Sequence, residues 1–352
     1  MSHDLKTVFI CRFLGCPAGG IMHHRIKTKP GKGDAPAPYQ DKAPPMSFAA
    51  FTAPGQFYRG NLHTHSTMSD GVLDPAEVCR RYKAEGYDFI SLTDHFVGLF
   101  DYPIADTKPF RDNVFTTIPG AELHSGVMQN GAVWHILAVG LPEDFTPPNA
   151  PHFAAVEGME TGPEIARRAR EAGAFVAIAH PQWSGMTMED ARSLDAAHAV
   201  EVYNHGCAVD DGRPEGFHTA ELLLSEGRDV TLIATDDAHF ASNDHFGGWV
   251  MVKAEANDPD LLLEALKAGH FYASQGPELH NIEIEGKRIY ITCSAVESAF
   301  VQGQGTPVAR KHGQAMTRIE MPLARLNDSG WIRVTVRDRA GKCAWSNPIR
   351  WR

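Results

Sequence analysis

Apolar and polar positions along the chain fall into two textures that change at about residue 277. From about residue 57, short apolar runs alternate with stretches in which apolar positions recur every three or four residues. The runs at 57–62, 87–93, 115–118, 133–139, 174–179, 200–203 and 230–234 read as strands. Asp74-Pro75 supplies an N-cap and a first-turn proline, and Gly86 ends the pattern, so 75–85 reads as a helix. Helical spacing returns at 163–171, 217–225 and 259–268, closed by Gly173, Gly227 and Gly269. Strands alternating with helices imply a parallel sheet with crossovers, and about seven strands favour a barrel over an open sheet.

After Gly276-Pro277 the pattern becomes a polar–apolar alternation, at 282–284, 288–293, 315–321 and 331–336, with no helical stretch among them. That segment reads as an antiparallel β domain, a small sandwich. The predicted organisation is a flexible leader over residues 1–50, an α/β barrel over 51–277 and a β-sandwich-like domain over 278–352. Residues 28–45, rich in Pro, Gly, Lys and Ala, give the leader its character. Met22 and Met46 are alternative starts.

Composition narrows the picture only a little. With 352 residues, 43% hydrophobic and 22% charged, the chain is that of an ordinary soluble protein. A formal charge of -10 argues against nucleic acid as a bulk electrostatic partner, but not against a small phosphoester beside a metal. No apolar run approaches the roughly 18 residues of a membrane span. The six cysteines (Cys11, Cys16, Cys79, Cys207, Cys293, Cys343) form no CxxC pair and read as reduced thiols. Lys6 and the apolar run behind it imitate a secretion signal, but Arg12 interrupts that run, so the expected location is cytoplasmic.

The chemistry lies at the strand ends. His63 and His65 stand two apart behind the first run, so on an extended backbone both imidazoles share a face. Asp70 follows in the next loop, Asp94-His95 follows the second run, and Glu122 follows the third. His135 lies within the fourth, and His180-Pro181 and Asp237-Ala238-His239 close later ones. Taken singly, His135 fits a hydrogen-bonded core histidine and His180-Pro181 a turn. In a parallel barrel, however, these ends open onto one face. So many ionisable groups together are costly unless a metal compensates them.

Together these residues resemble the PHP family, named for bacterial DNA polymerase and histidinol phosphatase. The resemblance rests on Asn61-Leu62-His63-Thr64-His65-Ser66 with Ser69-Asp70-Gly71, Thr93-Asp94-His95, Gly120-Ala121-Glu122, His180-Pro181 and Asp237-Ala238-His239. It implies a distorted seven-stranded (β/α) barrel holding two or three divalent ions, Mn, Zn or Fe. His63, His65, Glu122 and Asp237 would hold one ion, Asp70 and His95 with bridging Glu122 a second, and His135, His180 and His239 a third. Asn61 departs from the aspartate of many relatives, and Asp70 fills a place that is histidine in some. Tyr58–His63, 271–277 and 344–349 are similar to stand-alone members with a β tail, a branch that includes proteins similar to carbaryl hydrolase.

Mixed imidazole and carboxylate ligands suit Mn, Fe or Zn, and two adjacent ions acidify a shared water. The expected activity is hydrolysis of a small phosphoester, as phosphatase or phosphodiesterase, by attack of a metal-bridging hydroxide. Asp237 and His205 are the candidate catalytic residues, Asn204 and Arg59 the candidate substrate contacts, and Gln275 a weaker one. Two rival readings are a carbamate or carboxyl ester hydrolase using the same metals, and a non-catalytic binding module.

Overall fold

The computed structural model describes residues 48–351. The predicted leader up to residue 47, with Cys11, Cys16, Met22 and Met46, lies outside the described residues. The fold is a mixed α/β arrangement around one large mixed sheet. The helices are α1 (Ala49–Thr52), α2 (Pro75–Ala84), α3 (Gly162–Glu171), α4 (Met188–Ser193), α5 (Phe217–Ser225) and α6 (Pro259–Lys267). The first strands are β1 (Gln56–Asn61), β2 (Phe89–Leu92), β3 (His95–Phe96), β4 (Thr116–Leu123) and β5 (Ile136–Val139). They continue as β6 (Phe175–Ile178), β7 (Ala199–Asn204), β8 (Thr231–Thr235), β9 (Trp249–Ala254) and β10 (Phe271–Ser274). The last are β11 (Leu279–Glu285), β12 (Arg288–Gly303), β13 (Val308–Pro322), β14 (Trp331–Arg337), β15 (Cys343–Ser346) and β16 (Ile349–Arg350).

The helix signals act as expected. Asp74 accepts a hydrogen bond from the Glu77 amide, with Pro75 in the first turn. Thr161 and Glu164 form a reciprocal capping box on α3. Apolar faces of α3, α4 and α5 pack against β5, β6 and β7 in one buried cluster, while α6 packs on a second with β1, β6 and β9. Among the described residues, no helix is long and apolar enough to cross a membrane.

The sheet follows the order β1-β2-β4-β5-β6-β7-β8 on one side. Three pairings correct the all-parallel expectation. β5 runs antiparallel to both β4 and β6; the link that leads into it, residues 124–135, is short and holds no helix. β9 is antiparallel to β1. The reversal of β5 puts its beginning, beside His135, at the end of the sheet where its parallel neighbours finish. Beyond β1 and β8 the chain pairs again: the Asp237 amide donates to the His63 carbonyl at 2.8 Å, and the His65 amide to the Ala238 carbonyl at 2.9 Å. On the other side the path continues through β9, β10, β15, β14, β12 and β11. The Gln275 side chain accepts the Cys343 amide at 3.2 Å, helping to tie β10 to β15.

Candidate metal centre

The segment after β1 is bonded on both sides. Thr64 exchanges hydrogen bonds with Thr93 and bridges Ala238 in parallel register. Thus held, His63 and His65 turn their rings to the same interior, 5.3 Å apart and fully buried. Asp94 braces the following loop, accepting the Ser66 amide and hydroxyl and the Ser69 hydroxyl at 2.7–2.8 Å. That loop delivers Asp70. At the end of β8, Asp237 takes a left-handed backbone with φ 56°. Aspartate tolerates that conformation better than most residues.

Glu122 is the hub. Its Oε1 lies 2.8 Å from His135 Nδ1, 3.2 Å from His180 Nε2 and 3.7 Å from His63 Nε2. Its Oε2 lies 2.6 Å from His95 Nδ1 and 3.7 Å from His65 Nε2. Asp237 Oδ1 stands 3.0 Å from His63 Nε2 and 2.9 Å from His65 Nε2. Asp70 lies 3.4 Å from His95 Nε2 and 3.3 Å from His239 Nε2. All nine predicted ligands are therefore in one cluster. His239 sits with Asp70, His65 and His95, whereas His135 and His180 sit with Glu122, a different grouping from the one the family resemblance implies.

A second layer of contacts orients these rings. His63 Nδ1 lies 3.0 Å from Glu201, His180 Nδ1 3.0 Å from the Ser184 hydroxyl, and His239 Nδ1 3.0 Å from the Asp237 carbonyl. Each contact holds one ring nitrogen and leaves Nε2 facing the interior, the usual arrangement of metal-ligating histidines. Glu201 also accepts the His180 amide, the Asn204 side chain and the Thr235 hydroxyl. Asn61 donates to the His63 carbonyl and the Tyr82 oxygen and accepts the Asp236 amide. An aspartate there could not make the two donations. Asp236 accepts the Tyr82 hydroxyl and the amides of Phe246, Gly247 and Gly248.

Electrostatics divide the cluster into ionised carboxylates and histidines of two kinds. Burial opposes charge on Glu122, yet His135, His95 and His63 hold its pKa well below the usual range. Asp237 is held down against burial in the same way, by His63 and His65. Burial likewise works against His95 and His239, but neighbouring carboxylates raise them to about 10 and about 9. His65 is lowered to about 3 by burial and by His95 and His239. His63 Nε2 and Glu122 Oε2 are fully buried and make no well-aligned hydrogen bond, although Asp237 Oδ1 and His95 Nδ1 stand 3.0 and 2.6 Å from them. Imidazole and carboxylate atoms converge within 4.8 Å in overlapping sets that could hold metal ions.

Not every predicted site residue reaches the cavity. Asn204 does not line it; its amide donates to Glu201 and to Asp237 Oδ2, both at 3.0 Å, so it aligns Asp237. His205 lies outside the lining too, with Nδ1 2.9 Å from the Tyr203 hydroxyl and its ring against Gly247, where a Cβ would come within 2.2 Å. The Arg59 guanidinium is sandwiched between Tyr87 and Trp249, at 3.9 and 3.8 Å from the ring centres. Its backbone amide donates to Asp88, so Arg59 braces β1 instead of facing the cavity.

Three residues went unnoticed in the sequence. Glu201, a carboxylate inside the apolar run Val200–Val202, carried the clearest signal. His124, two after Glu122, is buried, with Nδ1 donating to the Trp134 carbonyl and Nε2 2.9 Å from His95 Nδ1. Cys207 lines the cavity, and burial, with nearby carboxylates, pushes its thiol pKa up, which favours the neutral thiol.

No family model matches the chain. Over 210 residues it is 28% identical to a 5'-3' exoribonuclease of Haemophilus influenzae, covering 59% of this chain and 64% of that protein. Over 238 residues it is 23% identical to an uncharacterized protein of Methanocaldococcus jannaschii, covering 63% of this chain and 94% of that one. Among solved structures, a two-domain protein of Bacteroides vulgatus contains a predicted PHP-like metal-dependent phosphoesterase. It overlaps 82% of this chain and 94% of its own, with 16% identity and a TM-score of 0.48. A Bifidobacterium adolescentis protein described as a metal-dependent phosphoesterase overlaps 51% of this chain and 87% of its own, with 14% identity and a TM-score of 0.38. An amidohydrolase of Chromobacterium violaceum, solved with sulfate and without metal, has the same coverage, 16% identity and a TM-score of 0.39.

Proposed function

We propose that this protein is a metal-dependent hydrolase that cleaves a small-molecule phosphoester, as a phosphatase or phosphodiesterase. The observation that carries the reading is the convergence of buried imidazoles on Glu122 and Asp237, with His63 Nε2 and Glu122 Oε2 making no well-aligned hydrogen bond. His63, His65, Glu122 and Asp237 would hold one ion, Asp70, His95 and His239 a second, and Glu122, His135 and His180 a third. Bound Mn, Zn or Fe ions supply Lewis acidity and acidify a bound water toward neutral pH. The chain itself orients the ligands. Glu201 fixes the His63 ring, Asn204 fixes the Asp237 carboxylate, and Asp94 fixes the loop that carries Asp70. We read β1, β2 and β4–β8 as a distorted seven-stranded barrel over residues 51–277, with residues 278–352 as its β domain and a cytoplasmic location.

A second reading, a carbamate or carboxyl ester hydrolase on the same centre, is favoured by one observation. Among the described residues lining the cavity, none is Arg or Lys, and Asp210 and Asp211 add negative charge. The deciding experiment is metal analysis followed by assay of the Mn-loaded protein on p-nitrophenyl phosphate, bis-p-nitrophenyl phosphate and naphthyl carbamate. Turnover of a phosphoester is expected. Turnover of the carbamate alone overturns the first reading, and less than one equivalent of metal after reconstitution overturns both.

A further inference from the structure

Beside the ligand cavity, and sharing His95, His135 and Trp183 with it, lies a second cavity of different chemistry. Its volume is about 410 Å³, and Met128, Ala132, Val133, Phe153 and Trp183 supply its apolar wall. A dry apolar cavity of roughly 150 Å³ already holds benzene, so the space suffices for a ring system. Its two aromatic residues are exposed for their type, Phe153 at 39% and Trp183 at 37%, and nothing among the described residues covers them fully. Both are anchored to the metal-binding rings. Phe153 meets His95 edge-on with centres 5.1 Å apart and lies nearly parallel to His135 at 6.5 Å. Trp183 stands edge-on to His180 at 4.8 Å and to His135 at 5.4 Å, and its indole N–H donates to Asp211 at 2.9 Å.

Resting on the metal-hydrolase reading above, we infer that this annex seats a flat apolar group of the substrate, with Phe153 and Trp183 as the residues that select it. The substrate class is an ester with an aryl or similarly flat apolar substituent and no further negative charge. Two independent features give that class. The annex offers van der Waals contact and ring edges at a short distance from the reacting centre. Among the described residues lining the ligand cavity there is no Arg or Lys, while Asp210 and Asp211 repel a second anionic group such as another phosphate or a carboxylate. A sugar phosphate would leave the aromatic wall unused, and a nucleoside di- or triphosphate, whose base could stack there, would bring the extra negative charge that Asp210 and Asp211 oppose.

The test is binding of phenylphosphonate and methylphosphonate to the Mn-loaded full chain, measured by titration calorimetry. The wild type should bind the phenyl probe at least tenfold more tightly. F153A and W183A should each reduce that preference severalfold, and the double variant should abolish it with metal content unchanged. W183F, which keeps a ring but loses the bond to Asp211, should retain most of it. Equal affinity of the wild type for both probes, or a preference that survives the double variant, overturns the inference. If the protein takes up no metal and binds neither phosphonate, the metal-hydrolase reading is what fails. Titration of the metal-free chain with 1-naphthol then decides the annex alone: binding weakened by F153A supports it, and no binding sinks it.

Discussion

The strands that carry the candidate metal centre and those of the C-terminal half bury themselves differently. β2, β5 and β6 are buried along their whole length, whereas β11 alternates and β13 exposes most of its side chains. A strand covered on both faces has no solvent side for a charged residue. Its ionisable groups collect where the strand runs out, and in this fold those ends meet. In the C-terminal half, polar residues are set out to solvent one at a time. Its buried charge, Arg333, is paired with Glu221 at 2.6 Å. The contrast places the ionisable cluster at strand ends in the first half, while the second half buries apolar residues and sets most polar ones out to solvent.

Glu122→Gln should break that contrast most severely. It removes one charge from the hub, so metal content should fall by at least one equivalent and hydrolysis should drop to background, with circular dichroism nearly unchanged. Asp237→Ala and His63→Ala should behave alike, and wild-type turnover in either would mean the centre is misplaced. The C-terminal half should respond in the opposite sense. Ile291→Ala, in the β11–β14 core, should cost about 2–5 kcal/mol in denaturant unfolding. It should leave metal stoichiometry intact in the folded protein, and loss of metal there would erase the division of labour. Next in size, Glu201→Gln keeps the shape but weakens the support of His63. Metal affinity should fall about 10–100-fold in a competition titration.

The smallest effect is that of pH. In the metal-free protein, His95 and His239 are raised to about 10 and about 9, their carboxylate partners outweighing burial. A raised histidine stabilises the fold fully below its unfolded value near pH 6.5, and that contribution is lost as pH climbs through 9 to 10. Metal must displace those protons, so its affinity runs the other way and rises over the same interval. The gap in melting temperature between Mn-loaded and metal-free protein should therefore widen from pH 6.5 to 8.5. A gap that narrows would contradict the assignment of these rings as ligands.

Much of this arrangement could be read from residue order, because ligand-bearing segments follow recognisable strands. Other parts could not. Strict alternation would place Arg59 on the same face as His63, but β1 ends at Asn61 and the register does not carry through. His205 is withdrawn by a slot that Gly247 opens 42 positions later, a partnership local sequence does not reveal. The antiparallel course of β5 was not legible, because the apolar pattern marks a strand without fixing its direction. Glu201 was legible as an ionisable residue within an apolar run. His124 was masked by the stronger motif beside it.

The hydrogen bonds joining residues 63–65 to 236–238 give the centre a history as well as a shape. The Thr64 hydroxyl and the Ala238 carbonyl are 174 positions apart in the chain. Closing a flexible loop of that length costs roughly 4–5 kcal/mol in chain entropy beyond a constant. His63 and His65, made early in synthesis, therefore wait for Asp237 before they have a complete site. Metal uptake would then mark the moment at which the two ends of that long loop have met, and a ribosome-bound fragment ending before residue 236 should hold the ion poorly.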